Sequence, residues 1–368
     1  STSTDVLPIV LFIILFQVFV IRQPLRDIRR LAAGIVFTIL GLGLFLITAV
    51  LWGMLPIALK LLLPAMDAVT ITWYRFVAAS LLLGKTLVVR DLKSALRLSR
   101  QANVEPTNFA AMRTTEGLAG LAGTGWKLLL VSIVGLGGNY LLYIWGLRLT
   151  SPAAAQIVIQ LAPAFLLLGG VWIFGESFRP RQWAGFAVLL AGLLLFFHYR
   201  IGALLGSFGD ESLGVVVIVI SAMFWAGYAL AQKQLLARYS SNSIMWMIYT
   251  CSALLLIPFS APPAVSQLDG FGWFLLAFCS LNTLIAYGCF AEALNHWQAS
   301  RISAVLAITP LVTLAGTIGL SWIFYVIDNA QVDALSFVGA CTVVVGSIAI
   351  VSPGKPAGSV TESETSSR

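Results

Sequence analysis

Residues 127–174 read KLLLVSIVGLGGNYLLYIWGLRLTSPAAAQIVIQLAPAFLLLGGVWIF. Two apolar blocks, 127–147 and 150–174, meet at a junction whose one charge is Arg148. Each block reaches the roughly 20 residues that a helix needs to cross about 30 Å of hydrocarbon. Working outward, similar blocks recur at 6–21, 31–63, 70–89, 182–198, 213–232, 243–260, 271–294, 301–325 and 334–352. Only helices and closed barrels satisfy their backbone polar groups in lipid, and a barrel would appear as short alternating segments. The chain therefore reads as an all-α polytopic membrane protein. The run 31–63 would span about 50 Å as one helix, so it tilts or breaks near Gly41 and Gly43. The stretch 90–126 reads as the one long interior loop, and residues 353–368 as a polar, disordered tail.

Composition agrees with this reading. Of 368 residues 59% are hydrophobic and 10% charged, with a mean hydropathy of +0.94. Soluble domains average about 25% charged residues, so a water-soluble enzyme is excluded. The net charge of +7 suggests nucleic acid only in a soluble protein. No basic stripe here carries the interleaved aromatics of a nucleic-acid groove, so no nucleic-acid partner is expected. Cys251, Cys279, Cys289 and Cys341 all lie in apolar segments without CxxC spacing, and read as small core or lipid-facing residues.

The few charges give an orientation. Seventeen Lys and Arg fall in 22–30, 90–127, 175–182, 233–242, 295–301 and the tail. Three fall in the opposite loops, and Arg75 and Lys85 lie within a span. The positive-inside rule makes the first set cytoplasmic, with the C-terminus inside a bacterial cytoplasmic membrane. Residues 6–21 precede rather than follow their positive charges, the reverse of a signal peptide, and read as an extra membrane helix with Ser1 outside.

The chain also repeats itself. LWGMLPIALK at 51–60 is similar to FWAGYALAQK at 224–233, matching Trp52 to Trp225 and Lys60 to Lys233. Tyr140, Leu147, Pro163 and Gly169 match Tyr287, Leu294, Pro310 and Gly316 at one offset, and Gly185 and Gly192 match Gly339 and Gly346. Five spans per copy is an odd number, so the copies run oppositely through the bilayer. The expected architecture is ten helices as a 5+5 inverted repeat: an extra segment over 1–43, one copy over 44–198, the other over 213–352, and the tail. Transporters of this plan place their site near mid-membrane between the copies.

LWGMLPIALKLLLPAMDAVTITWYRF, YLLYIWGLRLTSPAAAQIVIQLAPAFLLLGGVWIFGE and YGCFAEALNHWQASRISAVLAITPLVTLAG resemble the EamA-type repeat of the drug/metabolite transporter superfamily over roughly residues 44–352. The second copy departs from it, with Ile323 standing where the first has Glu176. The resemblance implies export of small metabolites or amino acids, without naming the solute. Residues 7–47 faintly resemble a helix pair from another bacterial membrane family, which suggests a fusion or an extended N-terminus.

Within the spans, a charge is a functional candidate by default. Arg75 either contacts the solute or serves structure, by snorkelling outward or pairing with Asp67 or with carbonyls ending the preceding helix. Lys60 reads as an interface anchor. Glu292, beside Asn295 and His296, either couples export to proton entry or pairs with Arg301. Glu176 reads as a loop ion-pair partner of Arg179 and Arg181. Pro163 and Pro310 fall at matched places inside two spans and predict kinks around a cavity or hinge, against static, tolerated kinks. Gln156 and Gln160 share a face one turn earlier, and with Trp52, Tyr140, Tyr143, Trp225, Tyr228, Asn282 and Tyr287 they offer rings and amides to a zwitterionic or aromatic solute. The alternative for each is an interhelical hydrogen bond, worth about 0.6 kcal/mol on average.

The glycine-rich 116–125 lacks a GK[ST] or GxGxxG context, so phosphate binding is not expected there. No HExxH or paired-acid spacing points to a metal, and no cofactor is implied. The alternatives to a transporter are an intramembrane enzyme acting on lipid and a non-transporting scaffold. The expected partners are a small solute and membrane lipid, with proton coupling open.

Overall fold

The computed structural model describes residues 47–102, 125–175, 180–198, 209–237, 239–296, 308–321 and 333–351. Statements about absence below concern these residues. The chain divides into two units, Ser1–Gly43 and Leu44–Arg368, and the described residues all lie in the second. The expected helix at 6–21, the break near Gly41 and Gly43, most of the 103–126 loop and the tail lie outside them.

The helices are α1 (Ile47–Leu62), α2 (Ala68–Ala102), α3 (Gly125–Leu149), α4 (Pro152–Val158), α5 (Leu161–Phe174) and α6 (Pro180–Phe196). They continue with α7 (Asp210–Leu235), α8 (Ser241–Leu256), α9 (Gly270–His296), α10 (Thr309–Ser321) and α11 (Ala334–Val351). Two 3₁₀ turns, Ile257–Phe259 and Pro262–Gln267, join α8 to α9. No strand occurs among the described residues. Four segments are long and apolar enough to cross a membrane: Gly125–Leu149, Pro152–Phe174, Asp210–Leu235 and Ser241–Phe259. The shorter apolar helices include α1, α6, α10, α11 and the first part of α9.

Polar residues at the junctions set the boundaries. The Asp67 carboxylate accepts from the Val69 and Thr70 amides at 2.9 and 3.0 Å and caps α2. Ser151 accepts from Ala154 N at 3.2 Å, with Pro152 in the first turn of α4. Ser240 caps α8 in the same way, and Asp333 starts α11 by accepting from Ser336 N at 2.8 Å. That amide bond is the main reason the Asp333 carboxyl is held below its ordinary range. α5 stops at Gly175, whose φ of 66° suits a residue without a Cβ.

Two expectations need correction. First, helix does not stop near residue 89. α2 runs 35 residues, about 52 Å at 1.5 Å each, so it outreaches the hydrocarbon by some 20 Å. Arg90, Lys93, Arg97 and Arg100 read as loop by charge, but they belong to a helix that leaves the bilayer. Second, the span 150–174 is broken: Ile159 and Gln160 form a turn between α4 and α5. Pro163 stands in the first turn of α5, and Pro310 in the first turn of α10. The break at 159–160 falls one turn before Pro163, the place where a proline removes a helical bond; residues 301–307, before Pro310, lie outside the described residues.

Packing pairs α3 with α7, α6 with α11, α2 with α8 and α9, α5 with α7, and α4 with α10. The α6–α11 contact is backbone on backbone. A Cβ on Gly192 would lie 2.5 Å from Val343 N, and one on Gly339 2.4 Å from Phe196 N. One on Gly346 would lie 2.4 Å from Leu189 N and 2.8 Å from Gly185 O. The glycines matched by the sequence repeat thus pack against each other. Between α3 and α7, Asn139 Nδ2 donates to Ser221 O and Oγ at 3.0 and 2.9 Å, and Ser221 Oγ returns a bond to Asn139 O at 3.0 Å.

Lys60, expected as an interface anchor, ends α1 by capping another helix. Its Nζ donates to Leu147 O, Arg148 O and Thr150 O at 2.9, 3.0 and 2.6 Å, where the α3 carbonyls run out. A cation at a helix C-terminus also meets the negative end of the helix dipole. Lys60→Met is expected to cost about 1–2 kcal/mol. A thermal melt of the purified protein in detergent checks this, and an unchanged midpoint would reduce the lysine to an anchor.

Candidate solute site

Arg75 stands two turns into α2, is 3% exposed, and faces other helices rather than the interface. Its Nε donates to Thr283 Oγ1 of α9 at 3.1 Å. Its guanidinium lies over the Tyr140 ring of α3, 4.4 Å from the centroid. Its burial does not fit snorkelling, and no Arg75–Asp67 pair occurs among the described residues, where Asp67 caps α2. No carboxylate pairs with Arg75 among the described residues. A cation so placed is costly, and a desolvated cation–π contact returns about 2 kcal/mol.

The surroundings are amphipathic. Tyr143 Oη donates to Gln156 Oε1 at 3.1 Å, tying α3 to α4. Asn282, the residue before Thr283, donates from Nδ2 to Leu51 O of α1 at 2.6 Å, while its buried Oδ1 has no hydrogen-bond partner. Thr283 Oγ1 also donates to Cys279 O at 3.1 Å, which fixes it on its own helix. Phe76 packs against Tyr140 and Tyr249, with centroids 4.8 and 5.7 Å away, and forms an apolar wall. The site thus combines a buried cationic fork, a buried free acceptor and two phenols, supplied by α2, α3, α4 and α9. It suits a solute carrying an anionic group, a donor and an apolar part.

The other expected residues are distributed more widely. Trp52 follows Leu51 on α1 and is half-buried, as is Trp225 on α7. Tyr228 shares an apolar cluster with Tyr140 and donates to Met245 Sδ at 3.1 Å. Gln156 lies on α4, and Gln160 in the turn that starts α5. Tyr287 and Glu292 fall on α9, but their side chains lie outside the described residues, as do Glu176, Arg179 and Arg301. Cys279 is buried and, like Cys251 and Cys341, free. No metal-holding group of His, Cys, Asp or Glu occurs among the described residues. Thr283 was missed because one threonine in an apolar run looks neutral. Its adjacency to Asn282 was the available signal.

The EamA-like transporter family matches residues 39–198 and 212–352. The protein described as uncharacterized inner membrane transporter YhbE of Escherichia coli is 35% identical over 312 residues, covering 84% of this chain and 90% of that protein. The aromatic amino acid exporter YddG of Ancylobacter novellus is 28% identical over 193 residues, covering 48% of this chain and 66% of that protein. A solved crystal structure, 19% identical, shares the fold with a TM-score of 0.52 over 85% of this chain and 94% of its own.

Proposed function

We propose a function from one established premise: the chain belongs to the EamA-like transporter family. It is a secondary exporter of small metabolites or amino acids in the bacterial cytoplasmic membrane. The observation that carries this reading is Arg75, a cation buried among helices with no carboxylate partner among the described residues, bonded to Thr283, the residue after Asn282, whose Oδ1 has no hydrogen-bond partner. A zwitterionic solute completes both: its carboxylate takes the guanidinium fork, and its ammonium donates to Asn282. Tyr140, Tyr143 and Phe76 accept an apolar or aromatic remainder. The aromatic amino acid exporter among the relatives agrees with that chemistry.

The architecture is the ten-helix 5+5 inverted repeat, with copies over 44–198 and 213–352 and the C-terminus cytoplasmic. The pairing supports this. α6 and α11 are equivalent under the repeat and pack together, as do α2 and α8; α3 with α7 has its counterpart in α9 with α1. Alternating access arises from rocking one copy on the other, with the Pro163 and Pro310 junctions as the points of give. Trp52, Gln160, Trp225 and Tyr228 line the path, and Tyr287 is a further candidate from its sequence position on α9.

Flux tests this reading. Protein in liposomes should move labelled amino acids from a broad panel. No flux for any solute, together with turnover of a lipid substrate, would replace the exporter with an intramembrane enzyme. Inertness in both assays would favour a scaffold. Glu292 is the coupling candidate: Glu292→Gln is expected to abolish pH-driven flux while preserving solute exchange. Unchanged pH dependence would remove the proton role and leave the exporter reading intact.

A further inference from the structure

Over residues 82–93, at the end of its bilayer-spanning part, α2 and its neighbour α9 form an open cleft of about 580 Å³. Its walls combine two chemistries. Lys85, Arg90 and Lys93 supply positive charge, and Leu82, Val89 and Leu284 supply apolar surface. Residues 82, 85, 89 and 93 follow the three-to-four-residue spacing of one helix face, so charge and apolar surface form one stripe. Lys85 and Lys93 are exposed, and they lie about 12 Å apart along the axis. Leu82 and Val89 are 38% and 41% exposed, which leaves apolar surface uncovered beside those charges.

We propose that this cleft binds an anionic phospholipid, with the headgroup phosphate held by Lys85 and Lys93 and an acyl chain against Leu82, Val89 and Leu284. Charge complementarity selects the headgroup, and the apolar floor selects an amphiphile over a free anion. A bare phosphate uses none of that floor and fills little of the volume. The position also fits. Leu82 leads the stripe on the membrane side, Lys85 and Val89 follow it, and Lys93 stands toward the water. Long basic side chains reach a headgroup plane from below by snorkelling. Each basic group near an anionic surface strengthens association about fivefold. This cleft lies apart from the Arg75 site, so the two proposals stand or fall separately.

The test uses full-length protein in phosphatidylcholine vesicles carrying trace spin-labelled phosphatidylglycerol or phosphatidylcholine. The protein-restricted fraction is expected to favour phosphatidylglycerol by about 25-fold at most, two lysines contributing about fivefold each. Added salt should weaken that preference. Lys85→Gln with Lys93→Gln should remove it, and Lys85→Arg with Lys93→Arg should restore it. A melt in phosphatidylcholine checks that both double variants are folded. Equal restriction of the two labels, or a preference that survives the glutamine pair, overturns the proposal. Loss of the preference on adding inorganic phosphate, against chloride at equal ionic strength, also overturns it and makes the cleft a free-anion site.

Discussion

Arg75→Gln is expected to lower solute transport by at least about 30-fold, the lower end of what losing one partner of a buried charge pair costs. The same variant should leave the melting temperature unchanged or raise it. The reason is the bonding pattern: Arg75 has one hydrogen bond, to Thr283, and one ring contact, to Tyr140. Replacing a buried, unpaired cation with a neutral amide relieves desolvation. A purely structural arginine predicts the opposite pair of results, lost stability with flux preserved in the folded fraction. Arg75→Lys should also transport poorly, because a lysine carries neither the planar fork nor the stacking face. Liposome flux with KM and maximal rate separated, alongside a melt for each variant, decides between the two roles. Full flux in Arg75→Gln would detach the solute from this residue.

The second large effect is on folding. Gly346→Leu places a side chain where even a Cβ would lie 2.4 Å from Leu189 N. The obstacle is backbone on an opposing helix, which cannot rotate away as a side chain can. Overpacking a core costs about 1–3 kcal/mol where neighbours can shift, and here they cannot without parting α6 from α11. The yield of monodisperse protein is expected to fall on the order of tenfold. Gly319→Leu is the control, since nothing lies within 4 Å of that Cβ position; surface changes of that kind stay within about 0.5 kcal/mol. Normal yield and stability for Gly346→Leu would contradict the packing described for this pair.

Much of the fold was legible because lipid imposes so strong a rule on the chain. Apolar block length located α3, α7, α8 and α11 to within a few residues. The matched glycines at 185, 192, 339 and 346 marked helices that touch. Charge misled at α2, where alternating basic and apolar residues continue a helix past the bilayer. Pro163 marked the break between α4 and α5, which falls one turn before it. At the site, Arg75 was legible by its cost in lipid. Its partners were not: Thr283 and Tyr140 come from elsewhere in the chain, and only folding brings them to it. Lys60 shows the same limit, since its three acceptors are backbone carbonyls nearly ninety residues away.

The length of α2 has a mechanical consequence. Arg75 and Lys93 share one uninterrupted helix with no proline between them, and are separated by about 27 Å along its axis. Such a rod acts as a lever. A tilt of about 5° displaces one end relative to the other by about 2 Å over that span. That movement is enough to break the 3.1 Å bond from Arg75 to Thr283. Whatever grips the protruding end of α2 therefore has leverage on the arginine, and the surface of the bilayer and the centre of the bundle are geared together by one helix.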